Sequence, residues 1–368
     1  MKKIAALLIA GLLAFSVACA KPNSNLSESI QQSGSGSSEG LEKDEGISIL
    51  TDKTFSKGLR LRGLGGAIYK DKANEETYKN DSLTDVVAEF EYGQTLATTP
   101  EWKLAQWSTR YSFNDSQHTS FVDYGDGIYE YINTTKRVKI DTNTGAFELG
   151  LDGSKCYVYG DRTAGQEWPH LLIERDIDIN AENPTLTKIS DKDKVVVTLD
   201  AKLNYFKDHL GENADPGLHS AMMMVYLYVA NYDEVHKCFT DMLWFGVMIF
   251  DNRWAYIPQM DFGDVNSKDS ATGKYIYNLP SDAFLSDDNN FWKNGQIVQG
   301  EDAKWVHTEI DVLPYVDVAL KRAKMNGYMR TAKYENLYVN GMYIGYELPG
   351  TYDIDMSFRN LDIKVYEK

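Results

Sequence analysis

The sequence predicts an all-β protein, an antiparallel two-sheet sandwich with one short helix. Three observations support this prediction. Apolar and polar residues alternate with a period of two through most of the chain, turn-forming residues separate the alternating segments, and a single segment has the pattern of a helix. A solute-binding architecture of alternating strands and helices would need many more helices, so the sequence excludes it.

The alternating segments predict individual strands. One face of the clearest strand carries Val195, Val197, Leu199, Ala201, Leu203 and Tyr205, and one face of another carries Ala105, Trp107, Thr109, Tyr111 and Phe113. Apolar runs on either side of "DTNTG" predict a hairpin. The runs "AMMMVYLYVA" and "DMLWFGVMIF" are apolar on both faces, which is typical of central strands covered on both sides.

Two local signals refine the strand pattern near the end of the chain. In "LYVNGMYIGYE", Asn340 and Gly341 stand between two alternating runs, which predicts a β-hairpin. In the last strand the alternation changes register at Arg359 and Asn360, which predicts a β-bulge.

The single helix is predicted from Leu313 to Asn326. Pro314 lies in its first turn, basic residues lie toward its end, and Gly327 follows as the stop.

The N-terminus has the pattern of a secretory signal, in which Lys2 and Lys3 precede a short apolar run. The residues around Cys19 resemble a bacterial lipobox, so we expect lipidation at Cys19 and a membrane-anchored, extracytoplasmic protein. The segment Ala18-Cys19-Ala20 also fits ordinary signal peptidase, which would release a secreted protein. We expect a signal peptide over residues 1–18, the lipidated Cys19 with a flexible Ser/Gly-rich linker over 19–46, and a β-sandwich domain over 47–368.

Composition narrows the possible partners. The formal net charge is −16, which excludes nucleic acid and leaves the N-terminal lipid as the contact with a membrane. The 24 tyrosines favour a surface on which sugars stack.

Cys156 and Cys238 either pair or remain as two buried thiols, and neither has the spacing of a zinc site. We expect no cofactor. Oxygen-rich segments at 123–127 and 261–269 would suit Ca²⁺, but they are more typical of plain turns.

Polar rows follow two predicted strands, opposite their apolar rows. The first row contains His170, Glu174, Asp176 and Asp178, just after Trp168, and the second contains Trp305, His307, Glu309 and Asp311. A third strand adds Gln106, Ser108 and Arg110, and Arg253 follows a buried strand in "FDNRW". We expect Trp168, His170, Glu174, His307 and Glu309 to share one sheet face within roughly 15 Å. The alternative is that such a face carries charges because it faces water.

Two segments carry a resemblance to known families. "WPHLLIERDIDI" and "NGMYIGYELPGTYDIDMSFRNLDI" resemble segments of extracellular proteins with concanavalin A-like or jelly-roll sandwiches from polysaccharide-using bacteria. This resemblance implies a glycan ligand on one sheet face. Glu174, Asp176 and Asp178 are also similar to the E-x-D-x-E strand of laminarinase- and lichenase-type glucanases. That similarity implies Glu174 as nucleophile, Asp176 as its modulator and Asp178, one methylene shorter than the family's glutamate, as general acid.

The sequence thus predicts a surface protein that binds a poly- or oligosaccharide through Trp168, His170, Arg110, Trp305, His307, Glu309 and Arg253. One alternative is an enzyme of the same fold, either a hydrolase using Glu174 and Asp178 or a lyase with a His or Tyr base. Another is a structural or adhesive protein without a small ligand.

Overall fold

A computed structural model describes residues 45–65, 83–93, 98–177, 186–265 and 271–368. The predicted lipidation site Cys19 and the proposed general acid Asp178 lie outside these residues. Within the described ranges, no helix is both long and apolar enough to cross a membrane.

Two large sheets form the fold, so the predicted all-β, two-sheet architecture is confirmed. In spatial order, the nine-stranded sheet contains β13 (Met260–Gly263), β14 (Tyr275–Leu279), β12 (Cys238–Asp251), β11 (Met222–Asp233), β18 (Leu337–Glu347), β9 (His170–Asp176), β4 (Trp102–Ala105), β2 (Leu59–Arg62) and β3 (Val86–Phe90). The eight-stranded sheet contains β17 (Val306–Asp311), β10 (Lys192–Asp208), β19 (Tyr352–Glu367), β8 (Phe147–Asp152), β7 (Lys136–Asp141), β6 (Ile128–Ile132) and β5 (Ser120–Gly125), with β1 (Ile47–Ser48) beside β19. A separate small hairpin pairs β15 (Trp292–Lys293) with β16 (Gln296–Ile297). Pairing is antiparallel except between β12 and β14 and between β2 and β4, which are parallel.

The inner faces of the two large sheets share one hydrophobic core. The predicted stripe of β10 is buried from Val195 to Leu203, and it meets Val225 of β11 and Ile344 of β18 in the same cluster. Tyr205, the last residue of the predicted stripe, is exposed because the pairing of β10 shifts register just before it. Alternation therefore leaves the other face of each sheet on the outside of the sandwich.

Among the described residues two α-helices accompany the sheets: a single turn, α1 (Gly153–Cys156), and α2 (Leu313–Met325). The predicted helix is thus confirmed as α2, with Gly327 in the left-handed region at φ +88° after its end. Its buried residues, Val316, Ala319, Leu320 and Ala323, recur at the spacing of one helical face. This face packs against β10 of one sheet and β12 and β14 of the other, so α2 closes one side of the core.

Two further local predictions are confirmed. The runs around "DTNTG" form the hairpin of β7 and β8. The predicted bulge in β19 lies at Arg359 and Asn360, where the pairing with β10 slips and Asn360 adopts φ +56°.

The hairpin predicted at Asn340 and Gly341 is wrong, because β18 runs through both residues without a turn. Neither residue has the positive φ that a two-residue hairpin turn requires. Gly341 instead makes room for a neighbouring ring, since a Cβ built there would lie 2.3 Å from Cδ2 of Tyr228.

The strand predicted over residues 105–113 is also wrong beyond its first residue. Strand β4 ends at Ala105, and the chain turns at Ser108, which adopts φ +55°. The buried Gln106 then bonds to backbone and side-chain groups of the turn, among them the N–H of Phe113 at 2.9 Å. Gln106, Ser108 and Arg110 therefore do not form a row on a sheet face.

Candidate functional site

A groove of about 790 Å³ lies on the outer face of the nine-stranded sheet. Its aromatic lining consists of Trp107, Trp168, Tyr226, Tyr228, Phe239, Trp244, Phe262 and Tyr343. The volume falls within the usual range of ligand sites, about 300–1,000 Å³.

Cross-strand neighbours form the floor of the groove. Tyr226 of β11 lies opposite Tyr343 of β18, which lies opposite Glu174 of β9. On the other side of β11, Gly246 of β12 lies opposite Tyr226. It leaves space for two groups, because a Cβ there would lie 2.8 Å from the Tyr226 ring and 2.1 Å from Oδ1 of Asn278. The Tyr226 hydroxyl donates a hydrogen bond to that oxygen at 2.7 Å. Burial raises the pKa of Tyr226 and Tyr343, so both remain neutral phenols.

One wall of the groove carries a carboxylate held by donors. The indole N–H of Trp168 and the hydroxyl of Tyr343 each donate to Glu347 at 3.0 Å. Nε2 of His170 lies 3.8 Å from the same carboxylate. Nδ1 of His170 lies 2.8 Å from the Trp168 carbonyl oxygen, and because a carbonyl can only accept, this nitrogen carries a proton. The wall thus presents acceptor oxygens and a histidine edge to a ligand.

The hairpin of β13 and β14 supplies a second acidic group. Asp264 accepts hydrogen bonds from the backbone N–H of Thr272 at 2.8 Å and from its hydroxyl at 2.5 Å. The indole N–H of Trp244 donates to the same hydroxyl oxygen at 2.9 Å. The pKa of Asp264 is raised above its usual value, mainly because the group is buried. The charge of Glu347 also raises this pKa, whereas the hydrogen bonds from Thr272 and the charge of His170 lower it. Asp264 is therefore close enough to Glu347 for the two carboxyl groups to interact electrostatically.

Two of the carboxylates predicted as catalytic, Glu174 and Asp176, belong to an ion-pair cluster at the groove. Nε of Arg62 donates to Glu174 at 3.1 Å, and Nζ of Lys103 pairs with Asp176. Glu174 is buried, which raises its pKa, while Arg62 and Lys103 act to lower it. Strands β2 and β4 thus bring cations to these carboxylates, so that the buried Glu174 and the exposed Asp176 each have a basic partner.

The prediction that both polar rows share one sheet face is wrong. His170 and Glu174 lie on β9 of the nine-stranded sheet, whereas His307 and Glu309 lie on β17 of the eight-stranded sheet. Each row points outward, so the two rows face away from each other. The reason is that alternation along a strand fixes which side chains share a face, while the pairing of β17 with β10 decides which sheet the strand joins.

The second row forms its own network on the eight-stranded sheet. Nδ1 of His307 lies 2.7 Å from Asp200, and Nε2 of His307 lies 3.8 Å from Glu309. Arg359 also donates to Asp200, at 3.0 Å, and lies over the ring of Trp305 at 4.1 Å.

Three other residues predicted to bind the glycan lie at different places. Arg253 lines the groove and donates to both oxygens of Asp251, at 2.9 and 2.6 Å, so it also closes the end of β12. Arg110 does not line the groove and lies over the ring of Tyr111 at 5.1 Å. Trp168 lines the groove, and Arg162 at 4.7 Å and His170 at 5.7 Å both pack against its ring, which leaves less of the ring for a sugar.

Among the described residues, no group of three or more His, Cys, Asp and Glu side chains is placed to hold a metal ion. Two of the carboxylates considered for Ca²⁺ accept hydrogen bonds from protein groups: Asp123 from the N–H of Gly125, and Asp261 from Tyr275, Gln259 and Arg322. Cys156 and Cys238 are both buried free thiols.

Sequence reasoning missed several groove residues, namely Tyr226, Tyr228, Trp244, Asp264 and Glu347. A signal was present in the runs interpreted as strands covered on both sides. Apart from Met223, their core faces carry aliphatic residues and Phe, whereas Tyr, Trp and most of the Met residues, including Met222, Met224 and Met248, lie on their outer faces. Amphipathic and flexible side chains of this kind are typical of binding surfaces.

No family model and no curated protein matches the chain. Similar solved structures include the family 11 xylanase from Neocallimastix patriciarum, with 12% identity and a TM-score of 0.32 over 69% of this chain and 97% of that chain. They also include the endoglucanase Cel12A from Rhodothermus marinus, with 11% identity and a TM-score of 0.32 over 68% and 97%. A third is the family 12 xyloglucanase from Bacillus licheniformis, with 8% identity and a TM-score of 0.31 over 67% and 97%. The resemblance to glucanase-type β-sandwiches is confirmed as a distant one, and at these TM-scores it carries no argument about activity.

Proposed function

We propose that this protein binds a neutral poly- or oligosaccharide in the groove on the outer face of the nine-stranded sheet. The observation that supports this most is the combination of an aromatic lining with polar groups that both donate and accept hydrogen bonds. Apolar C–H faces of sugars pack on aromatic rings, and each hydroxyl can donate one hydrogen bond and accept others. The chain's net charge of −16 favours a neutral ligand over an anionic one.

Phe262 and Glu347 are the residues whose roles can be tested most cleanly. The ring of Phe262 lines the groove and is 41% exposed, so it is free to contact a sugar. Glu347 is held by Trp168 and Tyr343, which leaves the carboxylate fixed to accept further hydrogen bonds from hydroxyls.

The test is retardation of the protein in native gels that contain xylan, xyloglucan or hydroxyethyl cellulose, with alginate as an anionic comparison. We expect retardation by at least one neutral polymer. Phe262→Ala should weaken affinity about three- to tenfold through lost stacking, and Glu347→Gln by about 1–2 kcal/mol through loss of a charge-assisted hydrogen bond. Phe121→Ala is the matched control, because Phe121 is also 41% exposed and does not line this groove. Wild-type behaviour of both groove variants would contradict the proposal.

A second candidate function is glycoside hydrolysis in the same groove. The observation that favours it is Asp264, whose pKa is raised by burial and by the charge of Glu347. An acid with a raised pKa near a second carboxylate is the arrangement such a reaction uses, with one group donating a proton to the leaving oxygen and the other acting as base or nucleophile. Binding remains the first proposal, because Glu347 already accepts hydrogen bonds from Trp168 and Tyr343, and its cross-strand neighbours are Met222 and His170.

Cleavage assays separate the two candidates. We expect no new reducing ends over hours of incubation with the neutral polymers. New reducing ends that disappear in Asp264→Asn and in Glu347→Gln would replace the binding proposal with the hydrolase, and unsaturated products that absorb in the ultraviolet would indicate a lyase. If no glycan binds or is cleaved, the structural or adhesive alternative remains.

The proposal includes a membrane tether through lipid at Cys19, supported by the lipobox-like sequence and the Ser/Gly-rich stretch that follows it. The protein should partition into detergent and incorporate labelled palmitate, and Cys19→Ala should lose the label. Recovery of a mature protein that begins at Lys21 would contradict the tether and indicate ordinary signal cleavage.

A further inference from the structure

A second cavity, of about 510 Å³, lies apart from the groove, beside the edge strand β17 of the eight-stranded sheet. The small hairpin of β15 and β16 and the segment that leads from it into β17 form its walls. Nine of its lining side chains can hydrogen-bond as amides, carboxylates or ammonium groups: Asp287, Asp288, Asn290, Lys293, Asn294, Gln296, Gln299, Asp302 and Lys304. Two tryptophans, Trp292 and Trp305, also line it, together with four other apolar residues.

We infer that this cavity is a second carbohydrate site. Its lining mixes donors and acceptors with nearly balanced charge, which suits hydroxyl groups because each hydroxyl both donates and accepts. An inorganic anion would meet three aspartates here. A metal ion would meet two lysines, and no metal-binding group exists among the described residues.

Trp305 provides a fixed aromatic surface at this cavity. The ring is 36% exposed, and Arg359 lies over it at 4.1 Å. Arg359 is itself held by Asp200 at 3.0 Å, and Asp200 also accepts from Asn360 at 2.8 Å and lies 2.7 Å from Nδ1 of His307. The polar row that the sequence displays on β17 thus orients the tryptophan beside the cavity. A platform held in place loses little conformational entropy when a sugar packs on it.

The walls of the cavity are also anchored to the sandwich. The side chain of Asn289 makes two hydrogen bonds with the backbone of His307, at 2.6 and 2.7 Å, and Gln299 accepts from the N–H of Phe206 at 2.5 Å. Tyr256 donates to Asp287 at 2.6 Å. These bonds fix the segments on either side of the hairpin before a ligand arrives. The indole N–H of Trp292, which borders it, is buried without an acceptor and would gain one from a sugar hydroxyl after a small movement of the hairpin.

The inference extends the proposed function to a second place on the chain, and it is tested with the full chain and the same neutral polysaccharide gels. Trp305→Ala should weaken retention about three- to tenfold through lost stacking. Trp254→Ala is the matched control, since Trp254 is 42% exposed and lines neither cavity. The urea midpoint of each variant is measured first, so that a loss of binding is read only from folded protein.

A second variant separates failure of this inference from failure of the groove proposal. In a Phe262→Ala background, weak retention should remain, and Trp305→Ala should remove most of it. Wild-type retention of Trp305→Ala, together with a loss in Phe262→Ala, would overturn the second site and leave the groove standing. A loss in Trp305→Ala with none in Phe262→Ala would support the second site alone. Absence of retention in the wild type would overturn both.

Discussion

Lys136 is the first residue of β7, and its side chain points into the sandwich. It is 3% exposed, its ammonium group donates to the carbonyl oxygen of Tyr111, and it lies 4.8 Å from the ring centroid of Phe113. Burial lowers the pKa of Lys136 from 10.5 to about 7, because neither neighbour carries a formal negative charge to compensate for lost hydration. A pH-dependent contribution to stability follows.

The sign of this contribution is set by proton binding in the two states. Between pH 7 and pH 10.5 the unfolded chain keeps the Lys136 proton while the folded chain loses it, so the free energy of unfolding rises with pH in this window. At 1.36 kcal/mol per pKa unit, the penalty for burying the charge is about 5 kcal/mol below pH 7. It declines to zero above pH 10.5.

Lys136→Met removes the titrating group and keeps a flexible apolar chain of similar length. The variant loses the bond to the Tyr111 carbonyl at every pH, so the informative quantity is how the stability difference changes with pH. In urea unfolding, the advantage of the variant over the wild type should shrink by about 2–3 kcal/mol between pH 7.5 and 9.5. Lys139→Met is the control on the same strand and should show no such trend. A difference between Lys136→Met and wild type that stays constant across this range would refute the reasoning.

Three further predictions concern packing and ion pairs. Gly341→Ala should lower the free energy of unfolding by about 1–3 kcal/mol in urea, because the added methyl would lie 2.3 Å from Tyr228; unchanged stability would argue against this close approach. Glu174→Gln should lower it by about 3 kcal/mol, because Arg62 would keep a charge without its partner, and a variant as stable as wild type would show that the pair contributes little. Cys156 is fully buried and its pKa is raised to about 12 by burial, so a thiol reagent should modify it only after unfolding; rapid reaction of the folded protein would contradict that environment.

Local patterns in the sequence predict much of the fold because they depend on neighbours along the chain. The stripe from Val195 to Leu203 lies in the core, since alternation determines the face that each side chain of a strand occupies. The bulge at Asn360 and the helix ended by Gly327 follow from equally local signals.

The candidate site was less predictable because it depends on pairing between distant segments. The carboxylate of Glu174 is balanced by Arg62, which lies 112 residues earlier in the chain. Gly341 follows an asparagine, as in a hairpin turn, but it serves instead to admit the ring of Tyr228 from a strand over a hundred residues away. Period-two alternation also cannot tell which sheet a strand joins, so His170 and His307 were expected together and lie on opposite sides of the sandwich.

A crystal structure of the complex with a neutral oligosaccharide tests the central claim most directly. We predict that the sugar lies in the groove of the nine-stranded sheet, with a ring against Phe262 and a hydroxyl donating to Glu347. A complex in which the sugar occupies only surfaces outside this groove, or crystals whose groove remains empty at saturating ligand, would contradict the claim.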